Sequence, residues 1–248
     1  MRSSVLLALF VLLGLGIPTA RADVSQPHYT QSPRHGFNIF EDFMANNTTN
    51  NTIGKYGWAM SAAGTAATFN NGAGEAGRPS IVNMDTGTTA TGRTEMNTDI
   101  DGYILAGNEV WEAAIDITTL SNATDEFDIR VGLCDNTAGD CTDGVYFLYN
   151  RNVSANWIRS TANGGTRTQT ASSTAVATGW LWLMFIVNST ETSVEFFVNN
   201  VSIGTNTLNI PTTAATGLMF QIIKSAGTAS RDFDIDYVTF YQHNTTGR

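Results

Sequence analysis

Two short runs constrain the fold of this chain more than any other feature. Residues 109–117 place Trp111, Ala113, Ile115 and Ile117 on one parity, and Glu112, Ala114 and Asp116 on the other. Residues 126–133 repeat the scheme, with Phe127, Ile129, Val131 and Leu133 set against Glu126, Asp128, Arg130 and Gly132. Successive side chains of a strand point to opposite faces, so each run offers one apolar face to a core and one polar face away from it. Residues 37–43 begin the same way, with Phe37, Ile39, Glu41 and Phe43 alternating with Asn38, Phe40 and Asp42.

The rest of the chain agrees. Residues 179–187 are apolar on both parities, which suits a central strand and puts Trp180 and Trp182 in the core with Trp111. Val194, Phe196 and Val198 form the inward side of the next strand. Asn199-Asn200 supplies a tight reversal, because Asn tolerates positive φ. Asn163-Gly164-Gly165 is a second turn signal. Residues 218–223 and 233–241 close the pattern. Only 14% of residues are charged, and polarity comes mainly from Thr, Asn, Ser and Gly, which favour turns and extended structure. Many short strands with regular turns and no helical period predict an all-β sandwich or barrel.

The N-terminus reads as an export signal. Arg2 is followed by an apolar run over residues 5–17, then Pro18 and Ala20-Arg21-Ala22, a small-x-small site with cleavage between Ala22 and Asp23. The run is shorter than the roughly 20 apolar residues of a membrane span. The expected organisation is a signal peptide at 1–22, an extended arm at 23–36, a sandwich at 37–243 and a tail at 244–248. A secreted or particle-surface protein with no membrane span after processing follows. Loss of Arg2 and Arg21 leaves 11 − 22 = −11 charges, which argues against a nucleic-acid partner. Cys134 and Cys141, an even count in an exported chain, point to one disulfide. Asn-x-Ser/Thr sequons at Asn46, Asn47, Asn50, Asn122, Asn152, Asn188, Asn200 and Asn244 fall in turns, loops or the tail, where a glycan is tolerated.

A resemblance joins these readings. The order Glu41-Asp42-Phe43, Gly57-Trp58, Gly77-Arg78-Pro79-Ser80-Ile81, Thr86-Gly87-Thr88 and Gly92-Arg93 resembles concanavalin A-like jelly-roll domains, particularly those of virion and phage tail structural proteins. Residues 182–187, 193–199, Ile203-Gly204 and 233–237 follow in the same order. The resemblance implies two stacked antiparallel sheets, one of them concave. Arg78 stands where such domains often carry His, and Ser80 replaces a Gly, which puts a binding role of that His in doubt. The fold serves lectins, glycosidases and structural modules alike.

Several sites are candidates. Glucanases of this fold carry Glu-x-Asp-x-x-Glu on one strand. Here Glu126 and Asp128 match, about 6–7 Å apart along the strand, but Val131 replaces the third acid. Retaining hydrolysis needs two carboxyl groups about 5–5.5 Å apart. The same polar face is the candidate glycan groove: Glu112, Asp116, Glu126, Asp128 and Arg130 hydrogen-bond hydroxyls, and Tyr146 or Trp157 stacks on a ring. Asp135, Asp140 and Asp143 around the cysteines, and Asp232, Asp234 and Asp236 on one strand face, are candidate calcium ligands; no other cofactor is implied. Of the three histidines, His28 and His35 lie in the arm and His243 at the very end of the expected sandwich, so no Ser-His-Asp constellation is expected. The leading expectation is a non-catalytic, self-assembling structural subunit whose arm adds to a neighbour's sheet. A lectin-like carbohydrate binder is the alternative, and a glycoside hydrolase the third reading.

Overall fold

The computed structural model describes residues 36–44, 46–47 and 52–243. The expected signal peptide, the expected arm up to residue 35, Asn50 and Asn244 lie outside the described residues. The strands in chain order are β1 (Gly36–Glu41), β2 (Asn46–Asn47), β3 (Thr52–Ile53), β4 (Ala59–Ala63), β5 (Thr68–Glu75), β6 (Arg78–Asp85), β7 (Arg93–Asn97), β8 (Val110–Ile117) and β9 (Phe127–Cys134). They continue with β10 (Gly144–Asn150), β11 (Asn156–Asn163), β12 (Thr166–Ala175), β13 (Gly179–Val187), β14 (Val194–Val198), β15 (Val201–Asn206), β16 (Gly217–Lys224) and β17 (Asp232–His243). No helix occurs among the described residues.

The strands form two large antiparallel sheets. One has eight strands, in the order β15-β14-β13-β8-β17-β6-β5, with β1 also paired to β17. The other has seven, in the order β12-β11-β10-β9-β16-β7-β4. This is the expected jelly-roll sandwich. Alternation fixes which side chains enter it: Trp111, Ala113, Ile115 and Ile117 of β8 and Phe127, Ile129, Val131 and Leu133 of β9 are all in one buried core. Trp111 stacks on Phe185 with ring centroids 5.4 Å apart, and Phe147 meets Phe196 edge to face at 5.2 Å. Each such ring stabilises the sandwich by about 1.5–3 kcal/mol through burial. The turns use the predicted residues: Asn199 and Asn200 both take positive φ (50° and 63°) between β14 and β15.

Glu41 sits on the core parity of β1 and is fully buried. Its carboxylate accepts the backbone N–H groups of Phe43 (3.0 Å), Lys55 and Tyr56 (3.3 Å). Charge-assisted bonds of this kind offset the cost of taking a carboxylate out of water.

Four aromatic assignments are corrected. Trp157, expected as an exposed stacking residue, points into the core, where its ring meets Phe147 at 6.0 Å. Tyr146, expected likewise, is buried on the outer side of the seven-stranded sheet in a small second cluster with Cys134, Cys141, Leu148, Ile158, Ala162 and Met219. Trp182, expected in the core, is 43% exposed, and Trp180 is half-buried. β13 is central by pairing, between β8 and β14, but the core covers only one of its faces.

Candidate functional site

The five polar residues expected to share one groove are divided by the sandwich. Glu112 and Asp116 of β8 lie on the outer face of the eight-stranded sheet, opposite in parity to its core residues. Asp128 and Arg130 of β9 lie on the outer face of the other sheet. Alternation tells inward from outward, and both pairs are outward, but on opposite sides of the molecule. Glu126 precedes β9 and accepts a hydrogen bond from the Asn152 amide at 2.8 Å.

On the seven-stranded sheet, pairing aligns Ser61, Glu95, Gln221, Arg130 and Leu148 across β4, β7, β16, β9 and β10. Arg130 organises the centre of this row. Its Nε donates to Asp140 at 2.8 Å, and one terminal nitrogen contacts Asp128 at 3.2 Å and Asp140 at 2.8 Å. The other donates to Gln221 Oε1 at 3.3 Å. Gln221 in turn donates to the Thr137 carbonyl at 2.8 Å. Asp140 and Thr137 belong to the loop closed by the Cys134–Cys141 disulfide, which the structure contains. This loop therefore covers Arg130 and the outer face around it. Burial pushes the Asp128 carboxyl above its ordinary range, and Arg130 opposes that rise. Asp128 is thus committed to Arg130, and Val131 is in the core. The Glu126–Asp128 pair does not assemble the two open carboxyls that retaining hydrolysis requires.

The open part of this face lies beside β7. A groove of about 690 Å³ is lined by Gly57, Ala59, Met60, Ser61, Arg93, Glu95, Asn97, Thr98, Asp99, Ile100 and Thr137. Glu95 is buried at its floor, and its Oε2 has no hydrogen-bond partner. Arg93 Nε is likewise shielded and unpartnered, although its terminal nitrogen lies 3.9 Å from Glu95 Oε1. Burial holds the Glu95 carboxyl above the usual range, against the opposing influence of Ser61, Arg93 and Gln221. An acceptor and a donor are thus left without partners beside the groove, both shielded from solvent. Sequence reasoning missed Glu95. Its only signal was a charge between the inward Thr94 and Met96, which many solvated strand faces share.

The carboxylates around the cysteines have other partners. Asp135 accepts the N–H groups of Thr142 (2.8 Å) and Asp143 (2.9 Å). Asp143 accepts that of Gly164 at 2.7 Å, and Asp140 faces Arg130 and Arg167. Asp232 and Asp234 share the Asn83 amide, and Asp236 faces Arg78 at 3.5 Å. No group of three His, Cys, Asp or Glu residues suited to a metal ion is found among the described residues. The sequons at Asn122, Asn152 and Asn200 are exposed, whereas Asn188 is half-buried and its amide donates to Thr190 and Thr192. The backbone at Asn46 and Asn47 forms β2.

The fold is a jelly-roll sandwich of the kind seen in concanavalin A-like lectins and glucanases. Within that class the chain belongs to the SO2946-like, C-terminal domain family, which it matches over residues 77–236. A protein of unknown function from Shewanella oneidensis MR-1, SO2946, superposes with a TM-score of 0.62 at 14% identity, covering 86% of this chain and 89% of that one. The carbohydrate recognition domain of Emp47p gives 0.57 at 9% identity over 86% and 98%. The β-glucanase of Bacillus licheniformis gives 0.51 at 11% identity over 85% and 99%. At such identities the likeness concerns the fold alone. No curated protein matches the sequence.

Proposed function

We propose that this protein is an exported, non-catalytic recognition module that binds carbohydrate in the groove beside β7. The polar lining of that groove carries the reading, with Glu95 and Arg93 set beside Ser61, Asn97 and Thr98. A sugar hydroxyl both donates and accepts, which suits this mixed lining of donors and acceptors. Tyr56, exposed one residue before the lining, offers a ring face at the rim. The likeness to a carbohydrate recognition domain supports the ligand class, and the disulfide supports an oxidising compartment. No helix among the described residues is long and apolar enough to cross a membrane.

The test is a glycan array followed by calorimetry, with wild type, Glu95→Gln and Arg93→Gln. The expected result is saturable binding of one glycan group, weakened about tenfold or more in both variants, with unfolding midpoints no lower than wild type for Glu95→Gln. Absence of binding across the array, or binding unchanged by both substitutions, overturns the reading.

A self-assembling structural subunit is the second reading. Val201 and Leu208, both 64% exposed, lie on and just beyond β15, the edge of the eight-stranded sheet, and favour contact with another copy. Light scattering of the mature protein tests this reading; a monomer at high concentration removes it.

A further inference from the structure

The outer face of the eight-stranded sheet carries a second ordered surface, on the opposite side from the groove. Pairing aligns Trp180, Asp116, Asp234 and Asn83 in one cross-strand row. The next row holds Trp182, Ala114 and Tyr237. In the first row the Arg78 guanidinium carbon lies 4.1 Å from the Trp180 ring centroid. Glu75 and Asp236 flank that guanidinium at 3.8 and 3.5 Å, and the Trp180 indole N–H donates to Glu75 at 3.2 Å. The molecule thus holds one guanidinium against a Trp face between two carboxylates.

The second row repeats the parts without the cation. The Trp182 indole is hydrogen-bonded to Tyr237, whose hydroxyl donates to Glu112. This relay holds an exposed ring in one orientation, and exposed aromatic area of that kind costs less to leave in water when a partner covers it. Phe40, 50% exposed, packs against Tyr237 at a centroid distance of 6.2 Å and extends the apolar strip. Ala114, paired with Trp182, has Glu112 and Asp116 as its same-face neighbours along β8, so both carboxylates lie diagonally beside the Trp182 ring. Charge is unbalanced here: Glu75, Glu112, Asp116, Asp232, Asp234 and Asp236 share the face with Arg78. Burial keeps the Asp116 and Asp234 carboxyls above their ordinary range; hydrogen bonds from Gly179 and Asn83 oppose it, and repulsion from the neighbouring acids adds a smaller rise. An added cation relieves that repulsion.

We propose that this face docks an extended, arginine-bearing segment of another protein, with a guanidinium stacked on Trp182 between Glu112 and Asp116 as Arg78 is stacked on Trp180. A second copy of this acidic chain presenting the same face would meet like charge. A neutral sugar would use the ring but not the carboxylate excess.

Indole N–H resonances of the full chain provide the test. The chain has 5 tryptophans, and Trp182 is assigned by its loss in Trp182→Phe. The probes are a capped Gly-Arg repeat peptide, the matching Gly-Glu peptide and cellohexaose, each to millimolar concentration. The Gly-Arg peptide is expected to shift Trp182 saturably and to weaken with added salt. Trp182→Ala and Asp116→Asn should each lower its affinity about tenfold, with a smaller loss for Trp182→Phe, which keeps a ring in place. Glu95→Gln should leave it unchanged, which separates this surface from the groove. No shift with the Gly-Arg peptide, equal shifts with the Gly-Glu peptide, a Trp182 response to cellohexaose instead, or undiminished binding by Trp182→Ala overturns the proposal.

Discussion

Replacing Arg130 with Met keeps the aliphatic stem and removes the guanidinium that three side chains share. The Arg130 side chain is 7% exposed, that of Asp128 21% and that of Asp140 35%. Breaking a buried ion pair by removing one partner costs about 3–5 kcal/mol, because the other charge is left stranded. Asp140 rehydrates in part, so the expected loss is about 2–4 kcal/mol. Asp128 supplies most of it. Its carboxyl is already raised by burial, and Arg130 is the largest influence in the other direction. In Arg130→Met it rises further. A carboxyl raised in the folded state contributes stability that is complete below its unfolded pKa, about 3.9, and that is lost as pH climbs through the folded value. The deficit of the variant should therefore be larger at pH 8 than at pH 5. Urea unfolding at both pH values measures it, and Arg130→Met/Asp128→Asn should recover about half of the loss at pH 8. A deficit under about 1 kcal/mol, or one independent of both pH and Asp128, refutes the reasoning.

Two further outcomes follow from the same chemistry. The disulfide closes a loop with a sequence separation of 7, so Cys134→Ala/Cys141→Ala should lose about 2–3 kcal/mol in urea unfolding by chain entropy; an unchanged midpoint would mean that the reduced chain holds the loop equally well. Glu109 is fully buried with an unpartnered Oε2, and burial raises its carboxyl despite the backbone N–H of Ala106. By the same sign, its stability contribution is present below about pH 4.3 and lost above the raised folded value. Glu109→Gln should then raise the unfolding midpoint at pH 8, by about 1–2 kcal/mol of stability, and not at pH 4; a loss of stability confined to pH 8 would show instead that the charge is needed.

The strands were legible because parity survives any arrangement of sheets. Residues 109–117 and 127–133 bury the side chains that alternation assigns inward. What parity cannot carry is which sheet a strand joins. Glu112 and Arg130 each read as outward, yet β8 and β9 belong to different sheets and face opposite solvents. Tyr146 failed for a related reason. It is outward in parity, but the disulfide loop and its cluster cover that side, and local sequence does not report a cover contributed from elsewhere. Trp182 failed in the opposite sense: an apolar run looks buried on both faces when only one is covered. Glu95 became visible only when Arg93, Ser61 and the 98–100 loop were assembled around it.

The position of β17 has a consequence for how the chain reaches this state. It is the last strand, yet it pairs with β1, β6 and β8 at the middle of the eight-stranded sheet. Until residues 232–243 have been synthesised, β8 lacks one neighbour and β1 has nowhere to pair. A nascent chain is therefore kept from closing its sandwich until β17 has emerged. Such late, non-local closure slows folding, because the loop entropy is lost before the contacts are gained.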